Sequence, residues 1–198
     1  QLGAPLCCGS EGPEARGHDA SDCHDLSVNQ RGLWFIHQMA PTATAYTMAS
    51  SLRIRSAVDA DALESAFRVV AGRHDALRTT ISGRSEHPEI SIDTLASFRM
   101  VRGDLRGAEE IEVTETAVRL ARKPFDMESG PLFRAALLTR GKTEHIICLA
   151  AHHAIMALWS AVLLLKEVGV VYQSLVSGTQ LELLPPEMQA TDHARWQL

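Results

Sequence analysis

Residues 144–175 decide the fold of this chain, and they read EHIICLAAHHAIMALWSAVLLLKEVGVVYQSL. The part from Glu144 to Ala151 is too apolar for an exposed edge and predicts a central strand of a sheet. The part from Leu158 to Leu175 has the length of a helix and only two charged residues, so most of its circumference should be covered. Two adjacent histidines, His152 and His153, lie where the strand ends.

The histidine pair is the first candidate for chemistry. Successive residues of a strand point to opposite faces, so His152 and His153 cannot share one role. A neutral imidazole can take a proton from an attacking amine or hydroxyl, or hold that group by a hydrogen bond. A histidine beside an apolar strand is also commonly a core residue. The pair alone therefore does not decide between a catalytic and a structural role. Zinc binding by the pair is disfavoured, because the side chains diverge and no third ligand is near in sequence.

The same region has the length of a membrane span. Ile146 to Leu165 contains no Asp, Glu, Lys or Arg. Three polar side chains, His152, His153 and Ser160, lie near its middle, and its first part has the pattern of a strand. Because polar groups are costly in lipid, we expect no membrane span.

Composition limits the class of protein. The chain has 198 residues, of which 45% are apolar and 22% charged, and this is enough for one globular domain. A net charge of -5 gives no basic surface for a phosphate backbone, so nucleic acid is not expected as a partner. The four cysteines are not distributed like a disulfide framework, and no secretory signal is visible, which favours a cytoplasmic protein.

The first 25 residues are rich in Gly, Pro, Ser and acidic side chains without apolar periodicity, so residues 1–25 are expected to be a flexible linker or tail. The ordered domain should span residues 26–198. Cys7–Cys8, His18 and Cys23–His24 lack the spacing that presents two thiolates to one zinc ion, and no metal site is expected.

Periodicity predicts the remaining elements. A helix capped by Asp59 should run to Arg73, and a second helix should cover Glu109 to Arg122. Strands are expected at 46–55, 76–81 and 131–139, the last forming a hairpin with the central strand. The order βαββαββα predicts an α/β sandwich with a mixed sheet packed with helices.

Five segments, taken together, resemble the successive N-terminal motifs of condensation domains of nonribosomal peptide synthetases and polyketide–peptide hybrids. They are Leu26–Phe35 (LSVNQRGLWF), Arg73–Thr79 (RHDALRT), Pro124–Arg134 (PFDMESGPLFR), His152–Ser160 (HHAIMALWS) and Ala190–Gln197 (ATDHARWQ). The match runs from Leu26 to Leu198 and keeps the motif order.

The resemblance implies a chloramphenicol-acetyltransferase-like lobe, the N-terminal half of a V-shaped pseudodimer with a tunnel between its lobes. Upstream and downstream carrier proteins would insert phosphopantetheine arms from opposite ends, with no cofactor bound directly. The acceptor amine or hydroxyl would attack the donor thioester near His153, while His152, Trp159 and Ser160 would support the site.

One motif position departs from the family pattern: Ala157 stands where the pattern has aspartate. The resemblance implies that this aspartate is structural and pairs with an arginine that corresponds to Arg78. We therefore expect Arg78 to lack its partner and Ala157→Asp to raise stability. Either natural degeneration or a deliberate Asp→Ala change accounts for Ala157.

The resemblance also implies that the C-terminal lobe is absent, so the isolated chain should expose an apolar surface and should not condense efficiently. Two other functions remain open. One is a condensation-like module that only docks carrier or tailoring proteins. The other is a stand-alone acyltransferase that uses acyl-CoA.

Overall fold

The computed structural model describes residues 24–84, 87–93, 98–180 and 183–197 of the chain. The helices in this part are α1 (Val28–Met39), α2 (Ala60–Arg73), α3 (Glu110–Ala121), α4 (Leu158–Ser177) and α5 (Ala190–Gln197). The strands are β1 (His24–Asp25), β2 (Thr47–Ile54), β3 (Thr79–Arg84), β4 (His87–Ile92), β5 (Val101–Asp104), β6 (Phe133–Thr139) and β7 (His145–His152). A short 3-10 helix, Asp75–Arg78, precedes β3.

The described strands form two sheets. The larger has the order β2-β7-β6-β5, with β5 parallel to β6 and the other pairs antiparallel, so the predicted mixed sheet is confirmed. The smaller has the order β1-β4-β3. β7 is interior and all eight of its residues are buried, which confirms the central strand.

Side-chain caps mark where two helices begin, and the first of these caps was predicted. The Asp59 carboxylate accepts hydrogen bonds from the backbone N–H groups of Asp61 and Ala62 at 2.9 and 3.0 Å, so α2 starts where predicted. The Glu109 side chain forms a capping box with Glu112 at the start of α3. Acidic residues in the first turn and Arg119 in the last turn of α3 match the helix dipole.

The core is divided by the large sheet. One face of β7, with Ile147 and Leu149, packs under α2 and α4. The opposite face, with Ile146 and Cys148, packs under α3. A third cluster joins α1, the small sheet and the end of β7 around the fully buried Trp34. The end of β7 therefore lies where the two sheets and α1 meet.

The expectation that most of α4 would be covered is wrong for the described residues. Leu164, Val168 and Val171 are buried on one side of the helix, where α2 and the sheet contact it. The opposite side is open to solvent; its exposed apolar residues are Trp159, Val162, Leu163, Val170, Leu175 and Val176.

By length and hydropathy alone, Trp159–Ser177 within α4 could also cross a membrane. These criteria are weak, because a core helix of a globular domain meets them too. The segment preceding α4 is strand, as predicted.

Other boundaries differ from the sequence expectations. The strand predicted at 76–81 begins only at Thr79, because Asp75–Arg78 forms the 3-10 turn. The helices α1 and α5 and the strands β4 and β5 were not predicted. His24–Asp25, placed in the predicted linker, pairs with β4. The rest of the predicted linker, residues 1–23, lies outside the described residues. This part includes Cys7–Cys8, His18 and Cys23.

Candidate active site

The backbone at the end of β7 holds the two histidines in place. The N–H of His152 donates to the carbonyl of Leu132 at 2.9 Å, and the N–H of His153 donates to the carbonyl of Tyr46 at 2.8 Å. The chain then turns, since the N–H of Ile155 donates to the carbonyl of His152 at 3.1 Å. Backbone hydrogen bonds therefore fix the main chain of both histidines.

His152 is a buried and neutral member of the core. Its ring packs edge-on against His37 and Phe125, with centroid distances of 6.2 and 6.3 Å. Its Nδ1 accepts a hydrogen bond from the N–H of Ala154 at 3.2 Å, which places the ring proton on Nε2. Burial, with smaller contributions from His37 and His153, lowers the pKa of His152 to about 4. His152 thus braces the turn that carries His153.

His153 is exposed and lines a cavity of about 650 Å³. The walls of this cavity come from one side of α1 as far as Ile36, from Tyr46, from the turn 153–157 and from Ala190 and Ala194 of α5. Strand alternation thus separates the pair as predicted, with His152 in the core and His153 at the cavity.

Ala157 is the N-cap residue of α4, with extended backbone angles and no side-chain cap. It also lines the His153 cavity. An aspartate at an N-cap accepts hydrogen bonds from the first free N–H groups of the helix. The geometry therefore identifies a local role for the missing carboxylate that the motif pattern does not reveal.

The expectation that Arg78 lacks a partner is wrong. Its guanidinium donates to the Asp75 carboxylate at 2.6 Å and to the backbone carbonyl of Asp93. Asp75 lies three positions earlier, and the 3-10 turn brings the two side chains onto one side. The positive charge is therefore neutralised within the Arg73–Thr79 segment, so Ala157 leaves no unpaired charge there.

The other predicted supporting residues lie at the beginning of α4. Trp159 is exposed to 70% and Ser160 is exposed too. Neither of them, nor Arg78, is among the described lining residues of the His153 cavity. The structure therefore brings His153 and Ala157 together at the cavity, while His152 is buried at the end of β7.

Sequence reasoning missed the contribution of α1. The side chain of Gln30 donates to the carbonyl of Ala154 at 3.1 Å and so ties the turn after the histidines to α1. His37, on the same helix, packs against His152, and burial lowers its pKa although Asp126 and Glu128 act in the opposite direction. The capping box formed by Ser27 and Gln30 was a readable signal for this helix.

The arrangement is suited to proton handling beside an apolar cavity. An exposed imidazole on a fixed turn can accept a proton from a nucleophile or hold it by a hydrogen bond. Within the described residues, no group of three His, Cys, Asp or Glu side chains is close enough to hold a metal ion.

Comparison with known proteins identifies the family. Residues 21–198 match the family model described as the condensation domain, and the chain belongs to this family. Among curated relatives, the chondramide synthase of Chondromyces crocatus is 34% identical over 181 residues, covering 89% of this chain and 5% of that protein. Such relatives are nonribosomal peptide synthetases, so the chain is similar to a small part of a much longer protein.

Solved structures show the same fold. The X-domain in its complex with OxyB from teicoplanin biosynthesis has a TM-score of 0.85 and 24% identity, over 95% of this chain and 40% of that one. The starter condensation domain of the rhizomide synthetase RzmA has a TM-score of 0.76 and 24% identity, over 83% and 40%. The described chain therefore has the chloramphenicol-acetyltransferase-like fold of one lobe, as predicted, and spans about 40% of these structures.

Proposed function

We propose that this chain forms the N-terminal lobe of a condensation domain that joins a carrier-bound acyl or peptidyl thioester to a carrier-bound amine or hydroxyl. The partners would be upstream and downstream carrier proteins, whose phosphopantetheine arms present the two substrates, together with a second lobe. We place this reaction in the cytoplasm. The family match supports the reaction class, and the exposed His153 supports the position of the reaction centre.

The reaction is a substitution at a thioester carbonyl. The acceptor nitrogen or oxygen forms a bond to the carbonyl carbon, and the carbon–sulfur bond breaks. The proton lost by the acceptor passes to the departing thiolate. Two roles are open to His153, since a neutral imidazole can relay this proton or hold the nucleophile by a hydrogen bond. Both roles require an imidazole that faces the substrate.

The observation that carries the proposal is the division of the histidine pair. His152 is buried, and its Nδ1 is already engaged by the N–H of Ala154. His153 has its backbone fixed and its side chain exposed at a cavity. The exposed imidazole of His153 therefore supports a substrate-facing role, which the buried ring of His152 does not.

The test is His153→Ala in a chain that includes the second lobe, assayed for amide or ester formation between two loaded carrier proteins. We expect the rate to fall about 10²-fold or more, the usual contribution of a general base. His74→Ala is the matched control, because His74 lies at the end of α2 and pairs with Glu167 at 2.7 Å. Turnover that survives His153→Ala at the control rate would exclude the catalytic assignment.

A second candidate function is a condensation-like module that docks other proteins without condensing. Ala157 favours this candidate, because the family pattern has aspartate there. In the same assay, a docking module would give no turnover with either the parent residue or His153→Ala, while still binding a carrier protein. Ala157→Asp would then be tested for a gain of turnover.

A further inference from the structure

The cavity beside His153 is lined mostly by apolar side chains, and its polar side chains are uncharged or histidine: Ser27, Asn29, Gln30, Tyr46 and His153. Its described lining carries no Asp, Glu, Lys or Arg side chain, and most of its wall is aliphatic. The aliphatic side chains that matter here are those of Val28, Leu33, Ile36, Met156, Ala190 and Ala194. A volume of about 650 Å³ lies within the range of small-molecule sites, roughly 300–1,000 Å³.

Helix α5 forms one wall of this cavity with two alanines. Ala190 is exposed and Ala194 is buried, and both line the cavity. Their spacing of four positions places them on the same face of α5. A larger side chain at Ala190 would extend from this wall and reduce the space beside His153.

A buried polar hub holds α5 against the Arg73–Thr79 segment. The Asp75 carboxylate, whose residue is only 4% exposed, accepts hydrogen bonds from Arg78 at 2.6 Å and from the Thr191 hydroxyl at 3.5 Å. The Gln189 side chain bridges the same segment, accepting from the N–H of Asp75 at 3.2 Å and donating to the carbonyl of Arg73 at 2.9 Å.

The stretch that leads into α5 is attached to the same segment. Arg73 donates to the carbonyls of Leu183 and Leu184 at 3.4 and 2.7 Å. The Asp192 carboxylate accepts from the N–H of Gln189 at 3.0 Å and closes the first turn of α5. The position of the Ala190 wall is therefore set from the end of α2.

We propose that the His153 cavity accepts an uncharged aliphatic group of the substrate. Ala190 sets the depth of this cavity. Asp75 is a positioning residue, because it holds α5, which carries Ala190, against the Arg73–Thr79 segment. The substrate role rests on the proposed function; the aliphatic preference rests on the lining itself. A charged group would lose hydration without finding a partner charge among the described lining residues.

The first test measures binding to the 198-residue chain by NMR titration of the alanine methyl and histidine ring signals. The probes are the N-acetylcysteamine thioesters of octanoate and of succinate, which differ in carrying no charge or a carboxylate. We expect octanoyl thioester to bind about tenfold more tightly and to shift the signals of His153 and Ala190. Equal affinities, or shifts away from this cavity, would overturn the proposal.

Leucinamide, which carries an aliphatic group on a free amine, tells the two substrate sides apart. Binding of the octanoyl thioester alone assigns the donor side, and binding of leucinamide in addition to it shows that the acceptor side also reaches this cavity. Absence of octanoyl binding would overturn the proposal whether or not leucinamide binds.

Ala190→Leu should weaken octanoyl binding about tenfold by filling the cavity. Ala57→Leu makes the same change at an exposed alanine that lies outside the cavity and should leave the affinity unchanged. Thermal unfolding of both variants shows whether the fold is intact. A folded Ala190→Leu chain with parental affinity would contradict the proposed wall.

The positioning role of Asp75 needs a readout beyond stability. Asp75→Asn and Thr191→Val should lower the protection of backbone amides from hydrogen exchange in residues 183–192. They should also reduce the preference of the cavity for octanoyl over butanoyl thioester. Asp75→Glu keeps the carboxylate and should retain both properties. Asp61→Asn is the control, because Asp61 is an exposed carboxylate that pairs with Arg102. If Asp75→Asn or Thr191→Val folds and still prefers octanoyl over butanoyl thioester as strongly as the parent chain, the positioning role of Asp75 is refuted. Both binding tests stand even if His153→Ala leaves condensation unchanged.

Discussion

Ala157 occupies the N-cap of α4 without a side-chain oxygen to satisfy the first N–H groups of the helix. Ala157→Asp supplies that oxygen and places a negative charge at the positive end of the helix dipole. We expect the free energy of unfolding to rise by about 1 kcal/mol. Denaturant titration of the 198-residue chain measures this change.

Ala157→Asn separates capping from ion pairing. Asparagine caps a helix about as well as aspartate but carries no charge. If both variants gain similar stability, capping explains the effect, as expected from the engagement of Arg78 with Asp75. A gain confined to aspartate would restore the ion pair as the explanation.

His152 should make the stability of the chain depend on pH. Its pKa is about 4 in the fold against an ordinary 6.5, so on acidification the unfolded chain takes up the proton first. The stabilisation is complete above pH 6.5 and is lost as the pH falls towards 4. The shift corresponds to about 3 kcal/mol, measured by denaturant titration across this range.

His152→Asn provides the comparison for this pH effect. The asparagine oxygen can still accept a hydrogen bond from Ala154, but the side chain does not titrate. The stability of the His152→Asn chain should therefore fall less than that of the parent chain between pH 6.5 and 4. Parallel pH curves for the two chains would show that His152 is not the group responsible.

Among the elements, α2 is fixed to the large sheet by three aromatic rings. Phe67 is 1% exposed and lies 5.6 and 6.2 Å from the ring centroids of Phe98 and Phe133. Phe67→Ala should cost about 3–5 kcal/mol, because it removes a ring from a closed core. Val69→Ala, on the exposed side of the same helix, should change stability little. Similar losses in the two variants would mean that this cluster does not anchor α2.

The elements that could be predicted are those with a strong local signal. α2 has a cap and a regular apolar face, and β7 is a continuous apolar run. β5 was missed partly because it contains Gly103, which counts against a strand. In the structure a Cβ at Gly103 would lie 2.7 Å from the Leu138 side chain, so glycine allows β5 to approach β6 closely.

The site was predictable only where it is local in sequence. The histidine motif and strand alternation predicted that His152 and His153 lie in different surroundings, and the structure buries His152 and places His153 at the cavity. The catalytic role of His153 stays a prediction. The remaining wall of the cavity comes from α1 and α5, which fold back onto the turn from distant parts of the chain. Gln30 and Ala154, for example, are 124 positions apart. Arg78 was misjudged for a related reason, because the 3-10 turn that offers it Asp75 has no periodic signature.

At the scale of the whole molecule, the exposed side of α4 carries six large apolar side chains among its described residues and begins at Trp159, two residues after Ala157. Exposed patches of this kind mark interaction surfaces. The chain spans about 40% of the solved relatives. This surface is therefore the expected contact for the second lobe named in the proposed function.

The interior position of β7 also governs how the chain folds during synthesis. β7 pairs with β2, whose residues leave the ribosome roughly a hundred residues earlier. Until β7 emerges, β2 and β6 have no strand between them, so α2 and α3 have only part of a sheet to pack on. A chain that stops before Glu144 would therefore present the unpaired edges of β2 and β6, whereas one that reaches Ser177 can complete the sheet and cover it with α4.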